Sequence, residues 1–359
     1  MKRAEFVIIG AGPAGLRAAK SLLDAGAKVL IIDRSDLLGG QLTKQTHMFF
    51  GSEKQHASKR GIDILKLMVD AIIEHENLEI ITNATVVGLY KDFVIGYVKA
   101  DVYYKIQADS IILATGASEK AIPFENNDLP GVYAAGAVQT LMNVYGVKPG
   151  EKVLMVGSGN IGLIVAYQLM QAGVEVVKLI EAASHIGGYL VHASKIKRLG
   201  VDICTNMSVK RAIGKDHVEA VEIWKLDAQW KGIEGTEETL EVDTICMAVG
   251  LAPLTELLQQ LGAEVKYVRE LGGNVPVINQ QFKTSIDGVY ACGDVAGIEE
   301  ASSAMMAGEI AGIEAALSRG YDVENAANRL NELREDLSNL RNGPHGEKIR
   351  AGLAKLGVL

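Results

Sequence analysis

Two stretches of this sequence combine an apolar run, spaced glycines and a downstream carboxylate in an order suited to a phosphate-bearing ligand. In the first, Phe6 to Ile9 runs into Gly10-Ala11-Gly12-Pro13-Ala14-Gly15. A helical stretch follows from Leu16 to Ala25, Gly26 ends it, and a second apolar run from Val29 to Ile32 closes on Asp33. This is G-x-G-x-x-G within a strand–helix–strand unit. Gly10 permits the tight turn, Gly12 lets the backbone approach a pyrophosphate, and Gly15 lets helix and strand pack closely. Pro13 suits the first helical turn, where its missing N–H is not needed. The helix start, through Ala14, offers free N–H groups and the positive end of a dipole to phosphates. Asp33, followed by Arg34, is placed to accept from a ribose 2′-OH.

The pattern returns at Lys152 to Val156, which leads into Gly157-Ser158-Gly159-Asn160-Ile161-Gly162. A helix from Leu163 to Gln171 stops at Gly173, and Val174 to Ile180 runs to Glu181. A glycine turn that merely packs a helix on a sheet is the plainer explanation of one such motif. The strand, the helix and the acid together outweigh it. Two such units imply two dinucleotides and a hydride passed between them.

The chain has 359 residues, 48% hydrophobic and 22% charged, as expected of a soluble protein with two domain-sized cores. A net charge of −8, with no basic cluster, argues against nucleic acid. No apolar run is long enough to span a bilayer. Met-Lys-Arg leads into the first strand with no cleavable signal, which points to a cytoplasmic protein. The three cysteines, Cys204, Cys246 and Cys292, form no C-x-x-C pair and read as buried, inert thiols. The seven histidines show no H-x-x-H or H-E-x-x-H spacing, so no metal site is expected.

Several elements must position these motifs. Arg34 to Gln41 is a loop containing Gly39-Gly40, and a polar stretch runs from Thr43 to Lys59. Gly61 to Glu76 has apolar residues at helical spacing. Leu78 to Thr82 and a run from Ala84 to about Ile106 read as strands, and Ser110 to Ala117 ends in a small-residue turn at Ala114-Thr115-Gly116. Ser118 to Pro130 reads as a linker. Ala248 to Pro253 echoes the Ala-Thr-Gly turn. Leu129 to Ala137 echoes Ile286 to Asp294, giving two similar strands at two similar edges. Glu299 to Leu317 is a helix of small residues. Leu330, Leu333, Leu337 and Leu340 make a 3-4-3 stripe on a charged helix, broken by Asn342-Gly343-Pro344. That stripe fits either the protein's own core or a subunit contact, and its position favours assembly.

With both fingerprints, the Ala-Thr-Gly turn and Val289-Tyr-Ala-Cys-Gly293-Asp294 in view, residues 1 to about 318 resemble the pyridine nucleotide–disulfide oxidoreductase superfamily. The spacing is most similar to its small thioredoxin-reductase-like branch. The Gly-Asp-Val-Ala-Gly-Ile-Glu-Glu-Ala run resembles the FAD- and NAD-binding subunits of amine and amino-acid dehydrogenases, such as dye-linked proline dehydrogenase, opine oxidase, hydrogen cyanide synthase and sarcosine-oxidase-like proteins. The resemblance implies an α/β fold with two Rossmann-like three-layer domains, the second inserted into the first. An FAD-binding domain would take residues 1–118 and 248–318, an NAD(P)-binding domain 119–247, and a C-terminal helical tail 319–359.

Carried over residue by residue, the resemblance places FAD on the first fingerprint. Gly10, Gly12 and Gly15 would face the pyrophosphate and Asp33 the adenosine ribose. Gly40 and Gln41 would lie along the flavin, and Val86 would meet the adenine through its backbone. Ala114, Thr115 and Gly116 would line the edge of the site. Asp294, after Gly293, would accept from a ribityl hydroxyl. The helix near Ala301 would point its N-terminus at the flavin pyrimidine. Gly157, Gly159, Asn160, Ile161 and Gly162 would hold the nicotinamide nucleotide. Glu181 favours NAD over NADP, because a carboxylate repels a 2′-phosphate.

One departure decides the chemistry. Where one branch of the superfamily carries redox cysteines, this chain has Leu42 and His47, and the second domain has no pair either. Disulfide reduction is therefore excluded, and electrons must leave the flavin directly, for a small-molecule or protein acceptor. His47, and less strongly Lys44, are candidates for moving a proton near the flavin, against the plainer reading of a solvated loop. Three functions fit: an FAD-dependent NAD(P)H oxidoreductase, an electron-relay subunit of a larger dehydrogenase, or a flavin-loaded scaffold. A homo-oligomer or a hetero-oligomer suits any of them. Glu181→Arg is expected to weaken NADH use and improve NADPH use, which steady-state kinetics with each coenzyme measures. Equal use of both by the unaltered protein would refute the reading of Glu181.

Overall fold

The computed structural model describes residues 1–49, 52–343 and 346–358. The chain divides into two compact units, residues 1–118 with 251–359, and residues 119–250. The first half of the first unit runs β1 (Lys2–Ile9), α1 (Pro13–Asp24), β2 (Val29–Ile32), α2 (Gly61–Asp70), β3 (Leu78–Ile81), β4 (Thr85–Tyr90), β5 (Val94–Lys99) and β6 (Val102–Leu113). Its sheet has the order β3-β2-β1-β6-β5-β4. β1, β2 and β6 are parallel, with Ile9 opposite both Ile32 and Leu113. All four residues of β2 are buried, so it reads as a continuous apolar run.

After β7 (Ala117–Glu119), the second unit repeats the scheme with β8 (Val132–Ala134), α3 (Ala135–Asn143), β9 (Lys152–Val156), α4 (Asn160–Gln171), β10 (Glu175–Glu181), α5 (Leu190–Arg198) and β11 (Ile203–Thr205). An antiparallel excursion follows through β12 (Met207–Ile213), β13 (Ala220–Lys225) and β14 (Glu238–Leu240), before β15 (Thr244–Met247). The parallel sheet has the order β11-β10-β9-β15-β8.

The chain returns to the first unit through β16 (Leu251–Pro253), α6 (Glu256–Leu261), β17 (Val265–Val268), β18 (Gly273–Pro276), β19 (Val289–Ala291), α7 (Ala301–Ser318), α8 (Ala326–Arg341) and α9 (Glu347–Leu356). β19 lies parallel to the end of β6, with Ala291 opposite Leu113. The two echoed segments thus form β8 and β19, each parallel to the strand next to its own fingerprint strand: β8 beside β15 and β19 beside β6.

The small residues of α7 have a direct use. A Cβ at Gly308 would stand 2.0 Å from the Ala14 carbonyl oxygen, and one at Gly312 2.6 Å from that of Ala18. α1 and α7 therefore touch backbone to backbone, which holds the fingerprint helix in a fixed place.

Four features differ from the sequence reading. α2 stops at Asp70 and turns follow, although Ile72 stays buried. The segment read as a linker is an ordered part of the second unit. Ile122, Phe124 and Leu129 pack on its core, and the Ala212 N–H donates to the Glu125 carbonyl at 2.9 Å. The leucine stripe is not presented to a partner: Leu330, Leu333 and Leu337 are buried in the core of the first unit, with Leu340 packed against it. Finally, another helix, α9, follows the break after α8. Pro344 of that break, and Phe50 and Gly51 of the polar stretch 43–59, lie outside the described residues.

Gly308→Ala is expected to destabilise the protein by about 1–3 kcal/mol through overpacking at the α1–α7 contact. Gly343→Ala, where nothing stands within 4 Å, should be nearly neutral. Urea denaturation of both variants measures this.

Candidate functional site

The first unit builds an open glycine cradle at the ends of β1 and β2. Gly10 has φ +102°, and a Cβ there would lie 2.3 Å from the Ala114 carbonyl oxygen. The turn out of β1 thus passes against the end of β6, where the Ala114 N–H donates back to Ile9 at 2.8 Å. At Gly12 nothing stands within 4 Å of a built Cβ, so this face of the turn is open. α1 starts there with Pro13 in its first turn and no side-chain cap, which leaves its N-terminal N–H groups aimed at that opening.

Asp33 fixes the turn from beneath. Its Oδ2 accepts from the Ala11 N–H at 2.6 Å, and its Oδ1 from the Ser35 N–H at 2.8 Å. Lone pairs remain on both oxygens for further donors. The Ala84 N–H donates to the Asp33 carbonyl at 3.0 Å, so the entry to β4 and Val86 crosses the end of β2. Arg34 and Gln41 are exposed. Gly39 donates to the Ala11 carbonyl at 2.8 Å, which brings the Gly39-Gly40 loop up beside the fingerprint.

The second unit repeats this construction almost atom for atom. Gly157 also has φ +102°, with its built Cβ 2.3 Å from the Ala248 carbonyl oxygen, and Gly159 is as open as Gly12. Glu181 accepts from the Ser158 N–H at 2.8 Å and from the Ala183 N–H at 2.9 Å, as Asp33 does from Ala11 and Ser35. The Ser158 hydroxyl adds a third bond at 2.7 Å. Asn160 accepts from the Tyr189 N–H at 2.8 Å, Gly162 is buried in the first turn of α4, and Ile161 is exposed. Sequence reading missed one part of this cradle. Gly187-Gly188 follows Glu181 at the same interval as Gly39-Gly40 follows Asp33, and Gly188 donates to the Ser158 carbonyl at 2.8 Å. That interval was the available signal.

The first unit brings further residues to the same sheet ends. The Thr115 hydroxyl donates to the Leu254 carbonyl at 3.1 Å, and Gly116 turns away at φ +73°. Gly293 and Asp294 follow β19, and a cavity there is lined by Asp294, Glu299, Ser303, Ala304 and Arg341. Burial pushes the Asp294 carboxyl up to about 6; the nearby Glu299 charge adds to this, while the Glu299 backbone N–H donates to it and opposes the rise. α7 begins just beyond, at Ala301.

His47 and Lys44 lie on the segment leaving Gly40. Lys44 closes a short 3-10 helix from Gly40, and the His47 ring stacks on Phe49 with centroids 5.6 Å apart. Leu42, at the first position where one branch of the superfamily carries a redox cysteine, is fully buried. None of the three cysteines is paired. Cys246 and Cys292 are buried and Cys204 is half-buried. Burial pushes the Cys292 thiol up to about 12 and raises that of Cys246 further, so neither forms a thiolate readily. Among the described residues, no group of three His, Cys, Asp or Glu side chains could hold a metal ion, and no helix is long and apolar enough to cross a membrane.

A model of the pyridine nucleotide-disulphide oxidoreductase family matches residues 4–308. An opine oxidase subunit of Agrobacterium tumefaciens (strain Ach5) is 24% identical over 327 residues, which cover 87% of this chain and 65% of that relative. L-proline dehydrogenase from P. horikoshii is 26% identical with a TM-score of 0.70, covering 93% of this chain and 59% of that one. Thioredoxin reductase of T. acidophilum is 23% identical with a TM-score of 0.72, covering 89% of this chain and 99% of that one. The chain thus spans less than two thirds of the proline dehydrogenase chain and of the opine oxidase subunit.

The raised Asp294 carboxyl sets a pH dependence. The folded state binds this proton more tightly than the unfolded state, so the contribution to stability is full below the ordinary value of 3.8 and is lost as pH rises through about 6. Between pH 3.5 and 8 the nucleotide-free protein should lose roughly 3 kcal/mol of stability relative to Asp294→Asn. Denaturant titrations of both proteins across that range measure it, and parallel curves would refute the assignment.

Proposed function

The chain belongs to the pyridine nucleotide-disulphide oxidoreductase family, and on that premise we propose that it is an FAD-dependent oxidoreductase exchanging electrons between NAD(H) and an acceptor, without a redox disulfide. The observation that carries this reading is the doubled cradle. Two open glycine turns sit on two uncapped helix starts, each held by a carboxylate that accepts from the turn's own backbone. Both fit an adenine dinucleotide: a close approach for the pyrophosphate, N–H groups to meet it and an acid for the ribose.

On this reading, residues 1–118 and 251–318 hold FAD, and residues 119–250 hold the nicotinamide nucleotide. When bound, FAD supplies a ring that takes up two electrons and releases them together or singly. Gly10, Gly12, Gly15 and the first N–H groups of α1 bind its pyrophosphate, Asp33 orients the ribose, and Val86 meets the adenine. Gly40, Gln41, Thr115 and Gly116 border the ring. Asp294 accepts from the ribityl chain, and the N-terminus of α7 at Ala301 offers N–H groups where negative charge collects. His47 or Lys44 holds the proton that accompanies electron transfer. In the second cradle, Gly157, Gly159, Asn160 and Gly162 bind the other pyrophosphate. Glu181 selects NAD, since Ala182-Ala183-Ser184 supplies no arginine for a 2′-phosphate. With the cysteines unpaired and two of them buried, electrons pass to the acceptor directly.

A second reading is an electron-relay subunit of a larger amine or amino-acid dehydrogenase. It is supported by the likeness to L-proline dehydrogenase and to the opine oxidase subunit. Anaerobic mixing of the FAD-loaded chain with NADH separates the two. Rapid bleaching of the flavin band by NADH, at least about tenfold faster than by NADPH, is the expected result. Bleaching only with an amine and a co-purified partner would favour the relay. No bleaching by any donor would overturn both.

A further inference from the structure

The tail beyond residue 308 lies outside the family match, yet one of its side chains reaches the cavity at Asp294. Arg341, the last residue of α8, grips Glu299 with two hydrogen bonds, Nε to Oε2 at 2.9 Å and Nη2 to Oε1 at 2.6 Å. The two side chains are only 13% and 14% exposed. Arg329–Glu309 and Arg334–Glu314 also tie α8 to α7, and buried leucines dock it as well. Attachment of α8 therefore does not depend on Arg341.

Glu299 differs from the other two acids in its position. Glu309 and Glu314 lie in the body of α7, whereas Glu299 stands two residues before its first residue, Ala301. Its backbone N–H donates to Asp294, and its charge bears on that carboxyl. An unpaired carboxylate here would offset the positive end of the α7 dipole. It would also add a like charge beside Asp294, in a poorly solvated cavity where such charges act strongly. The bidentate arginine offsets that charge while keeping the Glu299 backbone in place.

We propose that Arg341 is a positioning residue of the flavin site: by pairing with Glu299 it neutralises the acid at the start of α7, so that this helix end presents a positive potential to the bound flavin. The proposal rests on the FAD reading above. Loss of the arginine charge should disfavour the negative charge that the flavin ring gains on reduction, lowering its midpoint potential. It should also weaken FAD binding about tenfold, the order expected of one charge at a partly buried helix end.

The test is FAD affinity by fluorescence quenching and flavin midpoint potential by anaerobic dye titration at fixed pH, on the full chain. Arg341→Met should bind FAD about tenfold more weakly and show a lower potential. Arg341→Lys and the double variant Arg341→Met with Glu299→Gln should both return close to the unaltered protein. A double variant as impaired as Arg341→Met would mean that docking of α8, not charge, matters, and it would overturn the proposal. So would an unchanged Arg341→Met. If Arg341→Met does not fold, Glu299→Gln alone decides: it leaves the arginine charge unopposed and must raise the potential, and no rise overturns the proposal. FAD uptake with an unmoved potential defeats this proposal alone, whereas no FAD uptake by the unaltered chain defeats the reading of the site itself.

Discussion

A carboxylate accepting from a backbone N–H one residue past a glycine is the contact on which both halves of this molecule are built. Asp33 does this to Ala11 and Glu181 to Ser158. A hydrogen bond to an ionised acceptor contributes about 1.5–3 kcal/mol, more than an ordinary backbone bond. It locks the turn whose open side must face a ligand. The same acid then stands at the strand end, with lone pairs left for a sugar hydroxyl. One interaction thus sets the loop shape and places the recognising group. Its recurrence in two units with separate cores is the ground for proposing a pair of nucleotides rather than one.

The rest of the first unit keeps that turn still. α1 is held on one side by β1 and on the other by α7, whose Gly308 and Gly312 allow backbone contact. β19 delivers Asp294 beside the end of β6, and the start of α7 follows at once. No redox cysteine pair stands in this arrangement. The cysteines form no pair, and the thiols of Cys246 and Cys292 are pushed away from ionisation by burial. What remains near the sheet ends is a set of backbone donors, two acids and a neutralising arginine. On the proposed reading, that set stabilises charge on a ring rather than forming a covalent bond to it.

The parts legible in the sequence were those whose physics is local. A glycine that must adopt φ +102°, a helix that must start without a cap and an acid at a strand end are written within some thirty residues of each other. The small-residue character of α7 was equally plain, because close packing leaves no other use for it. What escaped depends on contacts distant in sequence. The segment 118–130 looked like a linker because its apolar residues have no period, yet Phe124 and Leu129 fill a core assembled from strands a hundred residues later. The leucine stripe of α8 had the spacing for a partner, and only tertiary packing decides that its partner is the same chain. The Arg341–Glu299 pair spans 42 residues and carries no motif at all. Gly187-Gly188 was readable in principle, since its distance from Glu181 matches that of Gly39-Gly40 from Asp33.

The central claim is that two independent adenine-dinucleotide cradles exist in one chain, each governed by its own acid. Equilibrium dialysis of the purified chain against FAD and oxidised NAD together, repeated with Asp33→Ala and Glu181→Ala, tests it most directly. The account predicts one FAD and one NAD bound per chain, with the first substitution weakening only FAD and the second only NAD. Competition of the two nucleotides for a single site, or loss of both from either substitution in a protein that remains folded, would contradict it.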